Sequence, residues 1–376
     1  MTGAGFADWL AGFRGRALAH GIRAAHLDSA LAPVRPLPQV LEKDRAQTEF
    51  TLTVRDYLAR VITPARIAAG LVALETHRGL FDRIEARFPV PRTILAAIWG
   101  VETSYGANRG GVALIAALAT LAHDGRRAAF FEAELLAALD LAARCGLAPS
   151  ALHGSWAGAS GHMQFMPSSA LAHGVDFDGD GRVDLLSDDP ADALASAAAY
   201  LRHFGWQPGQ AAIAVARLSP GFDVALAGRD RSMEAAGWQA RGAVPDRGPP
   251  SGELSLILPA GAAGPALFWG ANATVLARYN GSESYVVAVA LLADRLSGAP
   301  DPDLAWPEGD RALSLAEKRE LQIGLAALGH DPGAADGRIG PNTIRALKGW
   351  QMATGLAPDG YASAAMLDHL RRALAG

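Results

Sequence analysis

The sequence predicts a mainly α-helical protein with one large domain and one small one. Three observations carry that expectation. The chain has 376 residues, more than one domain of roughly 150 residues. Apolar residues make up half of it, and up to Gly146 they recur at helical spacing with little β-branched alternation. A stretch rich in Pro, Gly and Asp, Gly298–Gly309, then separates a short C-terminal segment from the rest. Composition narrows the function. The 34 basic residues nearly cancel the 38 acidic ones, so there is no basic footprint for nucleic acid and no electrostatic membrane anchor. The single Cys145 excludes an internal disulfide and a Cys-based zinc cage. No apolar run reaches the ~20 residues that span a bilayer. Met1 to Arg23 lacks a basic segment, an apolar block and a small-residue cleavage site, and so does not read as a signal peptide.

The elements follow in order. Asp8–Leu18 and Asp56–Leu74 carry helical spacing, and Arg66–Leu80 continues it to a stop expected at Gly79. Ala128–Cys145 is the clearest amphipathic helix, with Gly146 as its natural C-cap. A glycine-rich loop (Gly154–Gly161), an acidic loop (Asp176–Asp192) and an Ala-rich helix (Asp192–Phe204) come next. From Ser219 to Pro265, Gly and Pro become dense and short runs such as Leu254–Leu258 suggest strands, so an irregular, partly β insertion is expected there. Helix returns at Tyr285–Leu296. The expected domains are residues 1–297, with the insertion at 219–265, a linker at 298–311 and a small module at 312–376. Within that module LQIGLAALGHDPGAADGRIG and WQMATGLAPDGYAS echo one another. Each runs from a Gln-bearing helix into a turn closing on Asp-Gly, which suggests a pseudo-repeated three-helix unit.

Four segments can carry chemistry. In ILAAIWGVETSYG, Ile94, Ile98 and Val101 form an apolar stripe, and Glu102 lies beside it near a helix C-terminus. Partial desolvation and the macrodipole both favour its protonated form, which a general acid requires. An ordinary acid reaching solvent or pairing with arginine fits that spacing as well. In Gly154–Ala170, small residues permit close backbone approach, Ser155, Gln164 and Ser168 offer hydrogen bonds, and Trp156 and Phe165 offer faces for a sugar ring. In DFDGDGRVDLLSDDPADA, Asp176, Asp178 and Asp180 take positions 1, 3 and 5 of a calcium loop, Gly181 takes the sharp turn, and Arg182 offers its carbonyl. Ser187 stands where the closing Glu belongs, so either Asp184 compensates or a longer loop closes on Asp189 or Asp192; a solvated acidic turn without a cation is the alternative reading. In RYNGSESY, Tyr279, Asn280 and Tyr285 suit a groove for a polyhydroxylated ligand, or simply a loop and cap before the next helix.

Together these segments resemble the bacterial lytic murein transglycosylases of the membrane-bound B type. The resemblance covers about Phe6 to Leu296 and runs in order through DRAQTEF (Asp44–Phe50), IWGVETSYG (Ile98–Gly106), LATLAHDGRRAAFF (Leu118–Phe131), GSWAGASGHMQFMPSS, the acidic loop, SAAAYLRHFGW (Ser196–Trp206) and YNGSESY. DGRIGPNTIRALKGWQ (Asp336–Gln351) and GLAPDG (Gly355–Gly360) resemble a small three-helix peptidoglycan-binding domain.

The resemblance implies a lysozyme-like, mainly helical catalytic domain with a deep groove. It implies that Glu102 is the sole catalytic acid and cleaves the β-1,4 bond between N-acetylmuramic acid and N-acetylglucosamine, leaving a 1,6-anhydromuramyl end. It implies that Ser155, Gln164, Tyr279, Asn280 and Tyr285 line the groove, beside the Phe165 face already noted. It implies a structural calcium on Asp176, Asp178, Asp180 and Arg182 with Asp192 closing it, and no organic cofactor. Peptidoglycan strands are the implied partner in the periplasm or cell envelope, with proteins of cell-wall synthesis or division left unspecified. Export is then required, so Met1 is expected to begin a trimmed chain or a wrongly assigned start. The family's GAMGQ reads Gly158-Ala159-Ser160-Gly161-His162 here. Ser160 removes an apolar contact, and His162 is expected to titrate near neutral pH. Leu186 stands where many relatives carry Trp. The competing readings are a hydrolytic muramidase on the same fold and a non-catalytic wall-binding protein.

Overall fold

The computed structural model describes residues 3–46, 52–247 and 251–375. The part of the Asp44–Phe50 motif from Gln47 onward lies outside the described residues. In chain order the first elements are α1 (Gly3–Ala19), α2 (Ala24–Leu31), α3 (Pro38–Ala46), α4 (Val54–Val61), α5 (Pro64–Thr76), α6 (Arg78–Arg87) and α7 (Arg92–Thr103). Then come β1 (Val112–Ala113), α8 (Leu114–Asp124), α9 (Ala128–Arg144), β2 (His153–Gly154), α10 (Pro167–His173) and α11 (Ala191–His203). The chain divides into two compact units, Met1–Gln47 with Ala65–His203, and Thr48–Pro64 with Phe204–Gly376.

The first unit is helical because its apolar positions keep helical spacing. On α9, Phe131, Leu135, Ala138, Leu139 and Ala142 form one buried face and join a core with Leu114, Leu118 and Leu121 of α8. Gly146 follows at φ +65°, where a left-handed residue closes the helix: Leu147 N donates to Ala142 O at 2.9 Å. Helix α7 is nearly all core, with Ile94 to Gly100 buried in succession. One expectation is corrected. The predicted helix from Asp56 to Gly79 is three pieces, because Pro64 forces a new start and α5 ends before His77. Gly79 sits inside α6 rather than ending a helix.

The second unit holds α4 and then β3 (Ile213–Leu218), β4 (Gly228–Glu234), α12 (Ala235–Ala240), β5 (Ala243–Pro245), β6 (Glu253–Ile257), β7 (Ala266–Trp269), α13 (Ala271–Tyr279) and α14 (Glu283–Leu296). The sheet reaches beyond the expected insertion at 219–265, since β3 precedes that stretch and β7 follows it; its five antiparallel strands run in the order β4-β6-β7-β3-β5, with Ile213 opposite Trp269 and Leu256 opposite Phe268. Its core is centred on Trp238, whose indole N–H donates to Leu254 O at 2.7 Å. Helix α4 packs on α14 within this unit. The chain ends in α15 (Leu315–Ala327), α16 (Pro341–Ala353) and α17 (Ala364–Ala375), which enclose Leu321, Leu325, Leu347, Trp350, Leu367 and Leu370. Among the described residues no single helix is long and apolar enough to cross a membrane.

Candidate active site

Glu102 lies one residue before the end of α7, half-buried, on a helix whose interior is otherwise core. The chain leaves α7 through Ser104 and Tyr105, both left-handed at φ 50° and 60°. Such strain in non-glycine residues persists only where surroundings enforce it. Here they do. The Tyr105 hydroxyl donates to Arg66 O at 2.9 Å, and burial pushes its phenol up to about 12. The ring lies so close to Gly100 that a Cβ there would come within 2.6 Å of it. The Thr103 hydroxyl donates to His162 O at 2.8 Å and accepts from Gly106 N at 3.0 Å. Thr103 therefore ties the end of α7 to the glycine-rich loop.

That loop is closed by its own hydrogen bonds. Ser155 N donates to Ala159 O at 2.7 Å, and Ser155 Oγ accepts from Ala159 N at 3.1 Å. Ser160 N donates to Phe165 O at 2.9 Å. Gln164 is left-handed at φ 48°, and its Nε2 donates to Arg109 O at 3.1 Å and Gly161 O at 3.0 Å. Its Oε1 carries no hydrogen bond among the described residues and can accept one from a ligand. Phe165 is buried, its ring 5.9 Å from that of Tyr200. Trp156 packs its side chain partly into the helical core. In the other unit, Tyr279 is half-buried at the end of α13, and exposed Asn280 accepts from Ser282 N at 3.1 Å. Tyr285 is 2 % exposed inside α14.

His162 departs from expectation. Burial, with the Arg109 charge next, lowers its pKa below the ordinary 6.5. The ring sits between Trp99 and Ser187 and stays neutral at neutral pH.

Three residues were not singled out from the sequence. Glu134 on α9 is buried, and its carboxylate accepts from Ser168 Oγ at 2.6 Å and from Ser168 N at 3.0 Å, holding the start of α10. Its signal was available, since it falls on the apolar face of α9, three residues after Phe131 and four before Ala138. Arg109 binds Leu186 O at 3.0 Å and Ser187 O at 2.5 Å and pairs with Asp188. Thr103 is the third.

In the acidic loop, oxygens of Asp176, Asp178 and Asp192 lie within 4.8 Å of one another. Asp192 is buried, and that burial raises its carboxyl above the usual range even though it accepts from Phe177 N and Asp184 N, both at 2.8 Å. Asp176 accepts from Gly179 N at 2.7 Å and Gly181 N at 2.9 Å. Asp180 contributes no oxygen to the group; its Oδ1 accepts from Arg182 N at 2.8 Å. Asp184 turns to Leu186 N and Ser187 N, each at 3.0 Å. Three converging carboxylates, one buried, suit a hard cation with oxygen ligands.

A transglycosylase SLT domain model matches residues 5–294. The chain belongs to that family. A putative peptidoglycan binding domain model matches residues 315–370. Among relatives of the family, membrane-bound lytic murein transglycosylase B of Escherichia coli strain K12 is 39% identical over 168 residues, 44% of this chain and 46% of the relative. The chain therefore spans about half the length of that curated relative. The crystal structure of SltB3 from Pseudomonas aeruginosa with NAG-anhNAM-pentapeptide is 43% identical, covering 97% of this chain and 99% of that one at a TM-score of 0.94. The Escherichia coli lytic transglycosylase Slt35 with calcium is 31% identical, covering 77% and 92% at a TM-score of 0.67.

Proposed function

We propose that this protein is a lytic transglycosylase that cleaves the β-1,4 bond between N-acetylmuramic acid and N-acetylglucosamine in peptidoglycan. The observation that carries the reading is Glu102, a half-buried acid at the exit of a core helix, held there by Thr103 and Tyr105. Membership of the transglycosylase family and the names of the relatives support it. Glu102 first donates its proton to the glycosidic oxygen as the bond to the anomeric carbon breaks. The carboxylate then takes the proton of the muramyl 6-hydroxyl, whose oxygen bonds to that carbon. The products are a 1,6-anhydromuramyl end and a free 4-hydroxyl, with no water consumed. One carboxyl group does both jobs, whereas an ordinary glycosidase needs two. The Gln164 Oε1, which carries no hydrogen bond among the described residues, would accept from a sugar amide or hydroxyl. Tyr279, Asn280 and Tyr285 are assigned to the groove by the resemblance.

Calcium would be held by Asp176, Asp178 and Asp192, with Asp180 and Arg182 completing the loop. Its role there would be structural, with Asp176, Asp178 and Asp192 sharing its charge and Asp192 linking the loop to the start of α11. The substrate places the enzyme in the cell envelope.

The test is product analysis of digested sacculi by mass spectrometry. Wild type should release anhydro-muropeptides and Glu102→Gln should release none while melting normally. Reducing-end products in their place would favour the muramidase reading, and turnover by the variant would refute the role of Glu102.

A further inference from the structure

His162 holds the last turn of α7 at two points that bracket Glu102. Three residues before the acid, the Trp99 indole N–H donates to His162 Nδ1 at 3.2 Å. One residue after it, the Thr103 hydroxyl donates to the backbone His162 O at 2.8 Å. Trp99, Thr103 and His162 are all buried, where a hydrogen bond that is lost is not replaced by one to water. The imidazole has little room to turn away. Its far nitrogen, Nε2, meets Ser187 O at 3.0 Å. On its flank Gly106 stands at φ 87°, and a Cβ there would come within 2.7 Å of Nδ1 and Cε1. The indole is equally confined. It packs edge-on against His77 and Tyr105, at ring distances of 5.5 and 5.8 Å.

We propose that His162 is a positioning residue for Glu102, and that a proton added at its Nδ1 disengages the acid. The neutral ring matches its surroundings, with an acceptor facing Trp99 and a donor facing Ser187 O. A proton on Nδ1 turns the acceptor into a second donor opposite the Trp99 N–H. Ring and indole must then part. The Thr103 bond goes to the backbone and survives, so the turn carrying Glu102 is left held at one end. The groups around the ring divide. Burial opposes the proton most, Arg109 opposes it next, and Asp188, itself paired with Arg109, favours it. Beyond Trp99 lie His77 on α6 and the Tyr105 phenol, which burial keeps protonated. The kinetic consequence follows from a mechanism with one carboxyl group. Glu102 must begin protonated, so its own titration lowers the rate only as pH rises. His162 adds the opposite limb, a loss of rate as pH falls.

The inference rests on Glu102 as the acid, and the experiment tells the two apart. The value of kcat/KM for release of anhydro-muropeptides from soluble glycan strands is measured across acid and neutral pH, in wild type and His162→Gln. A glutamine amide can accept from Trp99 and donate to Ser187 O, with no proton to gain. In parallel, the His162 ring and the Trp99 indole N–H are followed by NMR in the free enzyme, the form whose ionisations kcat/KM reports. Wild type should lose activity on the acid side at the midpoint where the ring titrates and the indole resonance moves. His162→Gln should lack that limb and keep the alkaline one, and its Trp99 resonance should hold steady. A wild-type rate that stays flat through the ring's midpoint overturns the inference. So does an acid limb of unchanged midpoint in His162→Gln, which removes the positioning role alone. Turnover by Glu102→Gln would instead overturn the reading of the acid, and the positioning role with it.

Discussion

The Trp99 indole N–H donates to Nδ1 of His162 at 3.2 Å. An indole nitrogen only donates, so Nδ1 must be the unprotonated nitrogen and Nε2 carries the hydrogen. Nε2 in turn meets Ser187 O at 3.0 Å, the acceptor that this tautomer needs. A proton on Nδ1 would break the first bond in a buried setting. The histidine in the family's Gln position thus replaces one neutral polar group with another.

The pH consequence has a definite sign. The pKa of His162 in the folded chain lies below its ordinary 6.5. Its contribution to stability is complete above that value and is lost as pH falls toward the folded pKa, because only the unfolded chain takes up the proton. Melting temperature should decline over that window in wild type, and His162→Gln should lack this component. Trp99→Phe should raise the His162 pKa, read by NMR titration of the ring.

Glu134 should matter for stability more than a surface acid. Glu134→Ala leaves the Ser168 N–H and hydroxyl without their acceptor at the start of α10. The expected cost is about 1–3 kcal/mol in urea unfolding. Ser168→Ala should cost less, and the double variant should cost less than the sum, because the two residues share the interaction.

Calcium should stabilise the fold. At a hundredfold excess over Kd a cation bound only to the native state adds about 2.7 kcal/mol. Chelation should lower the melting temperature, and Asp192→Asn should remove most of the response, since Asp192 is the buried member of the trio. An unchanged melting curve after verified metal stripping would count against the site.

The C-terminal module should lose stability in acid. Ser314 and Glu317 form a capping box at the start of α15, and Arg311 binds the same carboxylate at 2.5 and 2.9 Å. These hydrogen bonds, that from Arg311 first, depress Glu317 from 4.5 to about 2. Its contribution is present above the higher value and disappears as pH falls through the lower one. Glu317→Gln should flatten that part of the acid melt.

Local features were legible. Gly146 closes α9 and the Asp-Gly pairs of the module mark matching turns, because each is set by backbone conformation within a few residues. The break at Pro64 was missed, because helical periodicity on either side obscured it. The sheet was not legible. Alternation marks a strand, but that Ile213 lies opposite Trp269 depends on chain closure over a long loop. Glu134 shows the intermediate case. Its place on an apolar face implies burial, while its partner Ser168 lies on another element.

The sequence by itself determined the helical class, the position of Glu102 beside an apolar stripe, and the alternating aspartates of the acidic loop. All of these follow from spacing along one segment. Only the tertiary structure decided that Asp180 stands outside the group formed by Asp176, Asp178 and Asp192, that burial lowers the His162 pKa, and that Asp359 of the C-terminal module accepts from Ala262 N. Desolvation and hydrogen bonding between distant segments govern those outcomes, and neither exists until the chain has folded.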